Sequence, residues 1–254
     1  MILAIDIGNS FTHTAIYDSN KIVFLKKFPT GSGFQLSLFN QLSRKVKKND
    51  LSIGIASVVP QANKKWEIAI KKNLGAEPLF INGNIVLPIS LRVSKLYSLG
   101  ADRICIASAA YKYCKQSQNV IAVDFGTATT YDVVLKQGEY IGGIISPGIA
   151  TSAKALNTFT AKLPMLKSSD FTFSRKIVGK NTTEAIKSGV IYSALASFEG
   201  IIKGIEKEMK RKFKVILTGG FAGLIHGGTS IKTVIKPNLV LDGINYIMKF
   251  NNGY

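Results

Sequence analysis

Apolar runs and short polar turns alternate at the start of the chain. Ile2 to Ile7 is apolar except for Asp6, the turn Gly8-Asn9-Ser10 follows, and Phe11 to Tyr17 alternates apolar and polar positions. A period of two is typical of a strand with one buried face, and glycine and asparagine favour tight turns. The pattern therefore predicts a β-hairpin. The other elements predicted in this half are strands over 22–28, 52–58 and 79–81 and helices over 31–46, 61–74 and from 101 through at least 111.

The same pattern begins again after Asn119. Val120 to Phe125 is a second apolar run with one carboxylate, Asp124, near its end. An offset of 118 residues aligns four identical pairs, Ala4 with Ala122, Asp6 with Asp124, Gly8 with Gly126 and Thr12 with Thr130. We interpret the repeat as an internal duplication of one supersecondary unit. The other elements predicted in this half are strands through 135, over 140–145 and over 213–217, and helices over 149–159, 182–210 and 239–249.

The duplication predicts two similar domains of mixed α/β type, residues 1–114 and 115–254. A chain of 254 residues with 46% apolar and 19% charged residues can bury a sizeable core, which excludes a disordered protein. Two cysteines cannot form a disulfide framework, so we expect a reducing, cytoplasmic compartment. The longest uncharged stretch, 215–231, contains five glycines and is too short to predict a membrane span.

The net charge is +18, from 33 basic and 15 acidic residues. Such a field attracts anions, including nucleotides, acidic metabolites and nucleic acid. The lysines lie in short clusters without interleaved aromatic residues, a pattern that favours a solvated basic surface over a nucleic-acid interface.

Two Asp-x-Gly turns are the first candidate for chemistry. A carboxylate beside glycine often does no more than stabilise a turn. Two such turns related by duplication could instead clamp a polyphosphate through their backbone N–H groups, with Asp6 and Asp124 holding a cation that neutralises the phosphates. Hydroxyl and amide donors accompany both turns: Asn9, Ser10, Thr127 and Thr129.

Two further segments allow both a structural and a functional interpretation. In Gly100-Ala101-Asp102-Arg103, Asp102 could cap a helix or act as a general base, with Arg103 as a cationic anchor for an acidic substrate. Gly219-Gly220 could be a simple turn or a surface that a nucleotide base approaches closely. The sequence contains no Walker loop and no Gly-x-Gly-x-x-Gly motif, which argues against P-loop and dinucleotide-binding folds.

Four motifs in order resemble the type III pantothenate kinases: 6–10 (Asp-Ile-Gly-Asn-Ser), 100–103, 124–130 (Asp-Phe-Gly-Thr-Ala-Thr-Thr) and 142–148 (Gly-Gly-Ile-Ile-Ser-Pro-Gly). The resemblance covers essentially the whole chain. It implies a duplicated actin-like, ribonuclease H-like α/β fold with ATP in the interdomain cleft. It also implies the ATP-dependent phosphorylation of pantothenate to 4'-phosphopantothenate, the first step of coenzyme A biosynthesis.

The resemblance also implies roles for individual residues. Asp102 is expected to be the general base, and Asp124 the ligand of a monovalent cation, K⁺ or NH₄⁺, required beside Mg²⁺. Asp6 is expected in the neighbourhood of the magnesium ion. The family forms homodimers with the substrate pocket at the interface. The residues expected to bind ATP are Asp6, Ile7, Gly8, Asn9, Ser10, Phe11, Thr12, His13 and Thr127, and those expected to bind pantothenate are Gly100, Ala101, Asp102, Arg103 and Thr182.

One departure from the family pattern leaves two alternatives open. Many members carry Tyr-x-x-Pro-x-x-Leu-Gly before the Asp-Arg pair, and the tyrosine and proline positions are Val93 and Leu96 here. A kinase of another small hydroxy acid is therefore one alternative. The second is a kinase-like scaffold that serves as a nucleic-acid-associated transcriptional accessory factor, a role described for some relatives.

Overall fold

The computed structural model describes residues 1–32, 51–115 and 117–251. The predicted helix over 31–46 lies almost entirely outside the described residues. Contacts divide the chain into two compact units, and the first comprises Met1–Tyr113, Gly138–Ile141 and Asn238–Tyr254. The second comprises Cys114–Gln137 and Gly142–Pro237. This division differs from the predicted boundary at residue 114 chiefly because the C-terminal helix belongs to the first unit.

A five-stranded sheet forms the centre of the first unit. Its strands lie in the order β3-β2-β1-β4-β5, antiparallel from β3 to β1 and parallel from β1 to β5. This arrangement places β1 in the middle, where every residue except Asp6 is buried. The bounds are β1 Ile2–Ile7, β2 Phe11–Asp18, β3 Lys21–Pro29, β4 Ser52–Ser57 and β5 Pro78–Phe80.

Helices cover both faces of this sheet. Helix α1 (Pro60–Leu74) begins at a proline and ends before Gly75, whose φ of 66° is left-handed, as is typical of helix termini. Its buried residues, including Trp66 and Ile70, pack in one core cluster with Leu3 and Ile5 of β1. Helices α2 (Ala101–Tyr113) and α6 (Leu239–Asn251) contribute to the cluster on the opposite face.

Asp242 fixes α6 to the rest of the first unit. Its carboxylate accepts hydrogen bonds from Tyr17 Oη of β2 at 2.7 Å and from Tyr113 Oη of α2 at 2.9 Å. Burial and the nearby carboxylate raise the pKa of both tyrosines, so they remain protonated donors. The apolar side chains of α6 and these bonds explain why the C-terminal helix belongs to the first unit.

The second unit repeats the strand arrangement of the first. Its strands lie in the order β11-β10-β7-β8-β9, which is the order of the first sheet read from its other end. Strand β7 has the same burial pattern as β1, with Asp124 in the place of Asp6. These observations confirm the predicted duplication. The bounds are β7 Val120–Phe125, β8 Ala128–Val134, β9 Glu139–Pro147, β10 Lys214–Thr218 and β11 Thr233–Ile235.

The remaining strand pairings are those of β6 and of the two hairpins. Strand β6 (Ser90–Leu91) pairs in parallel with Glu139 and Tyr140, the first residues of β9, and all four residues belong to the first unit. The β1–β2 hairpin pairs Asp6 with His13, whereas the β7–β8 hairpin pairs Asp124 with Thr130, the residue that the repeat aligns with Thr12. The second turn is therefore one residue shorter than the first, while Asp6 and Asp124 keep the same place near the ends of their strands.

The helices of the second unit are α3 (Ile149–Thr158), α4 (Thr182–Met209) and α5 (Ala222–Gly228). Phe198 of α4 is buried and lies edge-on to Phe125 of β7, with ring centroids 5.8 Å apart. By length and composition, α4 is the one helix in the described part of the chain that could cross a membrane. This is weak evidence, because core helices of water-soluble proteins meet the same criterion. The absence of a membrane anchor stays a prediction.

Candidate active site

The turn between β1 and β2 is held by hydrogen bonds on its own backbone and from outside it. The N–H of Gly8 donates to the carbonyl of Phe11 at 3.1 Å and closes the turn. Thr30, at the start of the 3-10 helix Thr30–Ser32, donates from its hydroxyl to the Gly8 carbonyl at 2.7 Å and from its N–H to the Ser10 carbonyl at 3.1 Å. The turn is therefore fixed at both of these carbonyl groups.

Side chains of the first motif point in two directions. Asp6 and His13 lie opposite each other on neighbouring strands, with Oδ2 and Nδ1 3.3 Å apart and side chains 14% and 35% exposed. Ile7 and Thr12 are buried, and the Thr12 hydroxyl lies 3.0 Å from that of Thr30. Of the residues predicted to bind ATP, Ile7 and Thr12 can thus reach a ligand only through their main chain.

Asp102 lies in the first turn of α2, where one carboxylate oxygen accepts a hydrogen bond from the N–H of Arg103 at 2.8 Å. Burial is the main reason that the pKa of Asp102 is raised, and the negative charge of Asp6 adds to the effect. The Arg103 N–H and the Arg103 charge oppose the rise without cancelling it. A desolvated carboxyl near a second carboxylate is a common arrangement at catalytic sites.

Gly100 and Arg103 flank this carboxyl. A Cβ atom at Gly100 would lie 2.5 Å from Asp102 Oδ1, so this position requires glycine if the carboxylate is to keep its place. The Arg103 guanidinium lies 6.0 Å from the ring centroid of the buried Tyr140, at the edge of cation–π range. The segment Gly100–Arg103 thus combines a base, a cation and a glycine that makes room for the base.

The second motif turn, between β7 and β8, is also tied through a carbonyl. The N–H of Gly126 donates to the Ala128 carbonyl at 3.1 Å. The Thr127 carbonyl accepts from the N–H of Gly148 at 3.2 Å and from the Thr151 hydroxyl at 2.5 Å, both at the start of α3. A Cβ atom at Gly148 would overlap the carbonyls of Gly126 and Thr127, which explains the glycine after Ser146-Pro147.

Gly219 approaches the base of this second turn. Its φ of 87° is left-handed, and a Cβ atom there would overlap Asp124 Oδ1 and the backbone of Phe125. Gly220 differs, because a Cβ atom there would meet nothing within 4 Å. The structure therefore gives a steric reason for glycine at position 219, as the turn interpretation expects, whereas the surface at Gly220 is open.

Thr182 begins α4 and lines a cavity of about 560 Å³ within the second unit. Asn181 caps the helix by accepting from the N–H of Glu184 at 2.9 Å. The cavity walls are mainly apolar, with hydroxyl groups at a few points. Its lining includes Tyr131, Ser146, Ile149, Leu156 and Val190 in addition to Thr182.

Metal ions would have to use few protein ligands. In residues 1–32, 51–115 and 117–251, no group of three or more His, Cys, Asp or Glu side chains could hold a metal ion. Asp6 and Asp124 each offer carboxylate oxygens, the donor type that Mg²⁺ and K⁺ accept. The donor set fits a cation that takes its other ligands from phosphate oxygens, water and main-chain carbonyls.

The structure brings together some of the predicted residues within each unit. Asp6 and Asp102 lie close enough to interact electrostatically in the first unit, and Asp124 and Gly219 approach each other in the second. Sequence reasoning did not single out Thr30, Thr151 or Tyr140. These three residues carried no signal because they act through contacts that arise only on folding. Gly148 did carry a signal, as part of the fourth motif.

Comparison with protein families gives a match over most of the chain. A family model for the type III pantothenate kinases matches residues 2–204. The type III pantothenate kinase of Sulfurihydrogenibium sp. is 38% identical over 258 aligned residues, which cover 98% of this chain and all of the relative.

Solved structures share the fold at lower sequence identity. A protein described as a Baf family transcriptional activator, from Campylobacter jejuni, superposes with a TM-score of 0.57 at 20% identity, covering 99% of this chain and all of the other. The inorganic polyphosphate/ATP-glucomannokinase of Arthrobacter sp. superposes with a TM-score of 0.51 at 14% identity, covering 98% of each chain. At these identities the likeness shows the fold alone, which is the predicted actin-like fold.

Substitution of Gly219 by alanine should destabilise the second unit by roughly 2–3 kcal/mol, because the new Cβ atom must displace Asp124 and the residue must keep a left-handed φ. Gly220→Ala is the matched control, since its Cβ atom meets open space. Chemical denaturation of both variants, followed by circular dichroism, measures the difference. Equal stability of the two variants would contradict the steric role of Gly219.

Proposed function

The chain belongs to the type III pantothenate kinase family, and we propose that Asp102 is the general base of the family's reaction in this protein. That reaction is the ATP-dependent phosphorylation of pantothenate at the start of coenzyme A biosynthesis, and it makes this chain a phosphotransferase. The observation that carries the assignment is the position of the partly buried Asp102 carboxyl near Asp6 and beside Arg103, where burial raises its pKa.

The chemistry requires a base and positioning rather than a covalent intermediate. The primary hydroxyl oxygen of pantothenate forms a bond to the γ-phosphorus of ATP, the bond from that phosphorus to the β-phosphate oxygen breaks, and ADP leaves. The hydroxyl proton passes to the Asp102 carboxylate. A carboxylate whose pKa lies above its ordinary value accepts this proton more readily than an exposed aspartate does.

We assign the ATP phosphates to the two turns. Backbone N–H groups in tight turns bind phosphate oxygens well. The β1–β2 turn offers such groups in the first unit, and the turn that contains Thr127 offers them in the second. Mg²⁺ bound together with ATP would supply charge neutralisation in the transition state. The Asp6 carboxylate is suited to hold the hydration shell of that ion, since the His13 Nδ1–H donates to one carboxylate oxygen, Oδ2, and leaves the other oxygen available.

Pantothenate is an anion, and we assign its carboxylate to Arg103. A guanidinium offers two parallel N–H donors to a carboxylate, and that of Arg103 lies 6.0 Å from the ring centroid of Tyr140. Gly100 and Ala101 would line the same site through their backbone. Thr182 is assigned as a hydroxyl contact on the strength of the family motif.

We assign a monovalent cation to Asp124. A single carboxylate with neighbouring main-chain carbonyls suits a weakly hydrated ion such as K⁺ or NH₄⁺, which needs many oxygen ligands and little charge. The contact of Gly219 with Asp124 keeps this carboxylate beside the second turn. The cation would therefore lie next to phosphate oxygens bound at Thr127.

We also propose that the enzyme is a homodimer through α4. The exposed face of this helix carries three glycines at which a Cβ atom would meet nothing within 4 Å, namely Gly189, Gly200 and Gly204. Each glycine within a helix costs about 1 kcal/mol relative to alanine, and contacts within the described part of the chain give no reason for them. Close approach of a second copy of α4 would provide that reason.

The alternatives receive less support. A nucleic-acid-associated role rests on the net charge of +18 and on the description of some relatives as transcriptional factors, and it gives no account of the partly buried Asp102 carboxyl. A different hydroxy acid as acceptor rests on Val93 and Leu96, and the family membership favours pantothenate. Cytoplasmic location fits an ATP-dependent enzyme with two free cysteines.

Replacing Asp102 with asparagine should lower kcat by roughly 10²- to 10⁴-fold, because the base is lost, while the Kd of ATP changes little. Steady-state kinetics and calorimetric titration with ATP and Mg²⁺ measure the two quantities. Asp18→Asn, which removes an exposed carboxylate at the end of β2, is the control and should keep full activity. Wild-type kcat/KM should also fall on acidification at a pH above the ordinary aspartate value of about 4, because a raised pKa means earlier protonation. Full activity of the Asp102→Asn variant would refute the assignment of Asp102 as the general base.

Release of ADP should depend on pantothenate, and K⁺ or NH₄⁺ should stimulate it by about tenfold or more over Na⁺. Coupled spectrophotometric assays with ATP and Mg²⁺, at constant ionic strength, measure this dependence. Asp124→Asn should abolish the difference between K⁺ and Na⁺. Equal rates in both salts for the wild type would remove the cation from the mechanism.

The native mass in solution should be twice the 27.5 kDa of the chain. Gly189→Arg should shift the mass toward the monomer, because the arginine would occupy the space that the second copy requires. Gly223→Arg, at an exposed helical glycine of α5 that also meets nothing within 4 Å, should remain dimeric. Sedimentation velocity distinguishes the two, and a monomeric wild type would contradict the proposal.

A further inference from the structure

Thr30 donates hydrogen bonds to the main chain of the first turn, although it lies 20 residues beyond that turn in the sequence. We propose that Thr30 is a positioning residue for ATP, holding the Gly8–Ser10 turn in the conformation that receives phosphate. This inference rests on the proposed function, in which that turn binds the phosphates of ATP. It concerns a residue outside all four motifs.

Three contacts converge on Thr30. Its hydroxyl donates to the Gly8 carbonyl at 2.7 Å, and its N–H donates to the Ser10 carbonyl at 3.1 Å. Its hydroxyl oxygen also lies 3.0 Å from the hydroxyl of Thr12, which is 1% exposed. Because the single Thr30 hydroxyl proton is used at Gly8, Thr12 must be the donor in this third contact. The Thr30 hydroxyl is therefore oriented by a buried neighbour toward the turn.

The direction of the Gly8 carbonyl decides the direction of the next amide. In a trans peptide the N–H of a residue points opposite to the carbonyl of the residue before it. A Gly8 carbonyl held on Thr30 therefore turns the N–H of Asn9 toward the other side of the turn. The Ser10 carbonyl, held on the Thr30 N–H, turns the N–H of Phe11 in the same manner.

This orientation matters because carbonyl and amide dipoles have opposite effects on a bound anion. Phosphate oxygens gain from N–H groups that point toward them and lose from carbonyl oxygens on the same side. A peptide flip at Gly8 would replace one with the other. Thr30 opposes such a flip before ATP arrives, which reduces the ordering that binding requires.

A threonine hydroxyl also anchors the turn of the second unit, but at the next position along the repeat. There the Thr151 hydroxyl donates to the carbonyl of Thr127 at 2.5 Å. The two threonines come from different elements, a 3-10 helix after β3 and the first turn of α3. Each turn thus has one carbonyl fixed by a threonine hydroxyl from outside the hairpin, at Gly8 in the first unit and at Thr127 in the second.

The test compares Thr30→Val, which keeps the shape but removes the hydroxyl, with Thr30→Ser, which keeps the hydroxyl. The valine variant should raise the KM of ATP by about five- to tenfold, the amount expected from a lost hydrogen bond, with the KM of pantothenate within about twofold of the wild type. The serine variant should restore the KM of ATP to within about twofold. Calorimetry with ATP and Mg²⁺ should show the same ratios without turnover.

Thr14→Val is the matched control. Thr14 lies on the same strand as Thr12, is fully buried, and donates to the Lys26 carbonyl at 3.4 Å without touching the turn. This variant should lose stability while keeping the ATP affinity. Hydrogen exchange adds a direct measure, because the Gly8 amide, which donates to the Phe11 carbonyl across the turn, should exchange faster in Thr30→Val and at the wild-type rate in Thr14→Val.

The outcomes separate this inference from the proposed function. An active wild type whose ATP affinity is unchanged by Thr30→Val, or is lowered equally by Thr14→Val, would overturn the role of Thr30 and leave the function intact. A wild type that binds ATP without phosphorylating pantothenate would overturn the function, and the calorimetric ratios would still decide the role of Thr30. A wild type that binds no ATP would overturn both.

Discussion

The burial of β1 and β7 on both faces is the constraint on which the site depends. A carboxylate in the middle of such a strand would lose its hydration without compensation, so the charge can only stand where the strand leaves the core. Asp6 and Asp124 occupy that place, each the only position of its strand that is not fully buried. The glycine two residues later then lets the backbone reverse direction. The fold thus places a carboxylate and a tight turn at the equivalent end of each sheet.

The proposed base at Asp102 comes from a different source, the start of α2. Its carboxyl loses water on packing and lies near the charge of Asp6, and both effects raise its pKa. The N–H of Arg103 moderates this rise and holds one oxygen in place. A helix start is well suited to such a balance, because its unpaired N–H groups can stabilise an anion that burial alone would protonate. The capping and the catalytic interpretations of Asp102 are therefore compatible, since one oxygen can serve each.

Much of the fold followed from the sequence because its signals are local. Alternation and apolar runs predicted the β1–β2 and β7–β8 hairpins. Apolar residues spaced three and four apart predicted the long helix α4. Short elements such as β6 and α5 gave no such signal. The C-terminal helix was predicted as an element, but its place in the first unit depends on Asp242 and its tyrosine partners, which lie more than 100 residues away in sequence. Local patterns carry no information on such a partner.

The site divides in the same way. Asp6 and Asp102 could be singled out from the sequence as candidates because their chemistry is unusual for their surroundings. Thr30 could not, since a threonine after a strand is ordinary and its hydroxyl acquires its purpose only when β3 brings it behind Gly8. The motif supplies the groups that face a ligand, and residues elsewhere in the chain fix the peptide planes on the opposite side. A turn sequence is therefore only half of a phosphate site, and the anchor behind it must be found in the folded structure.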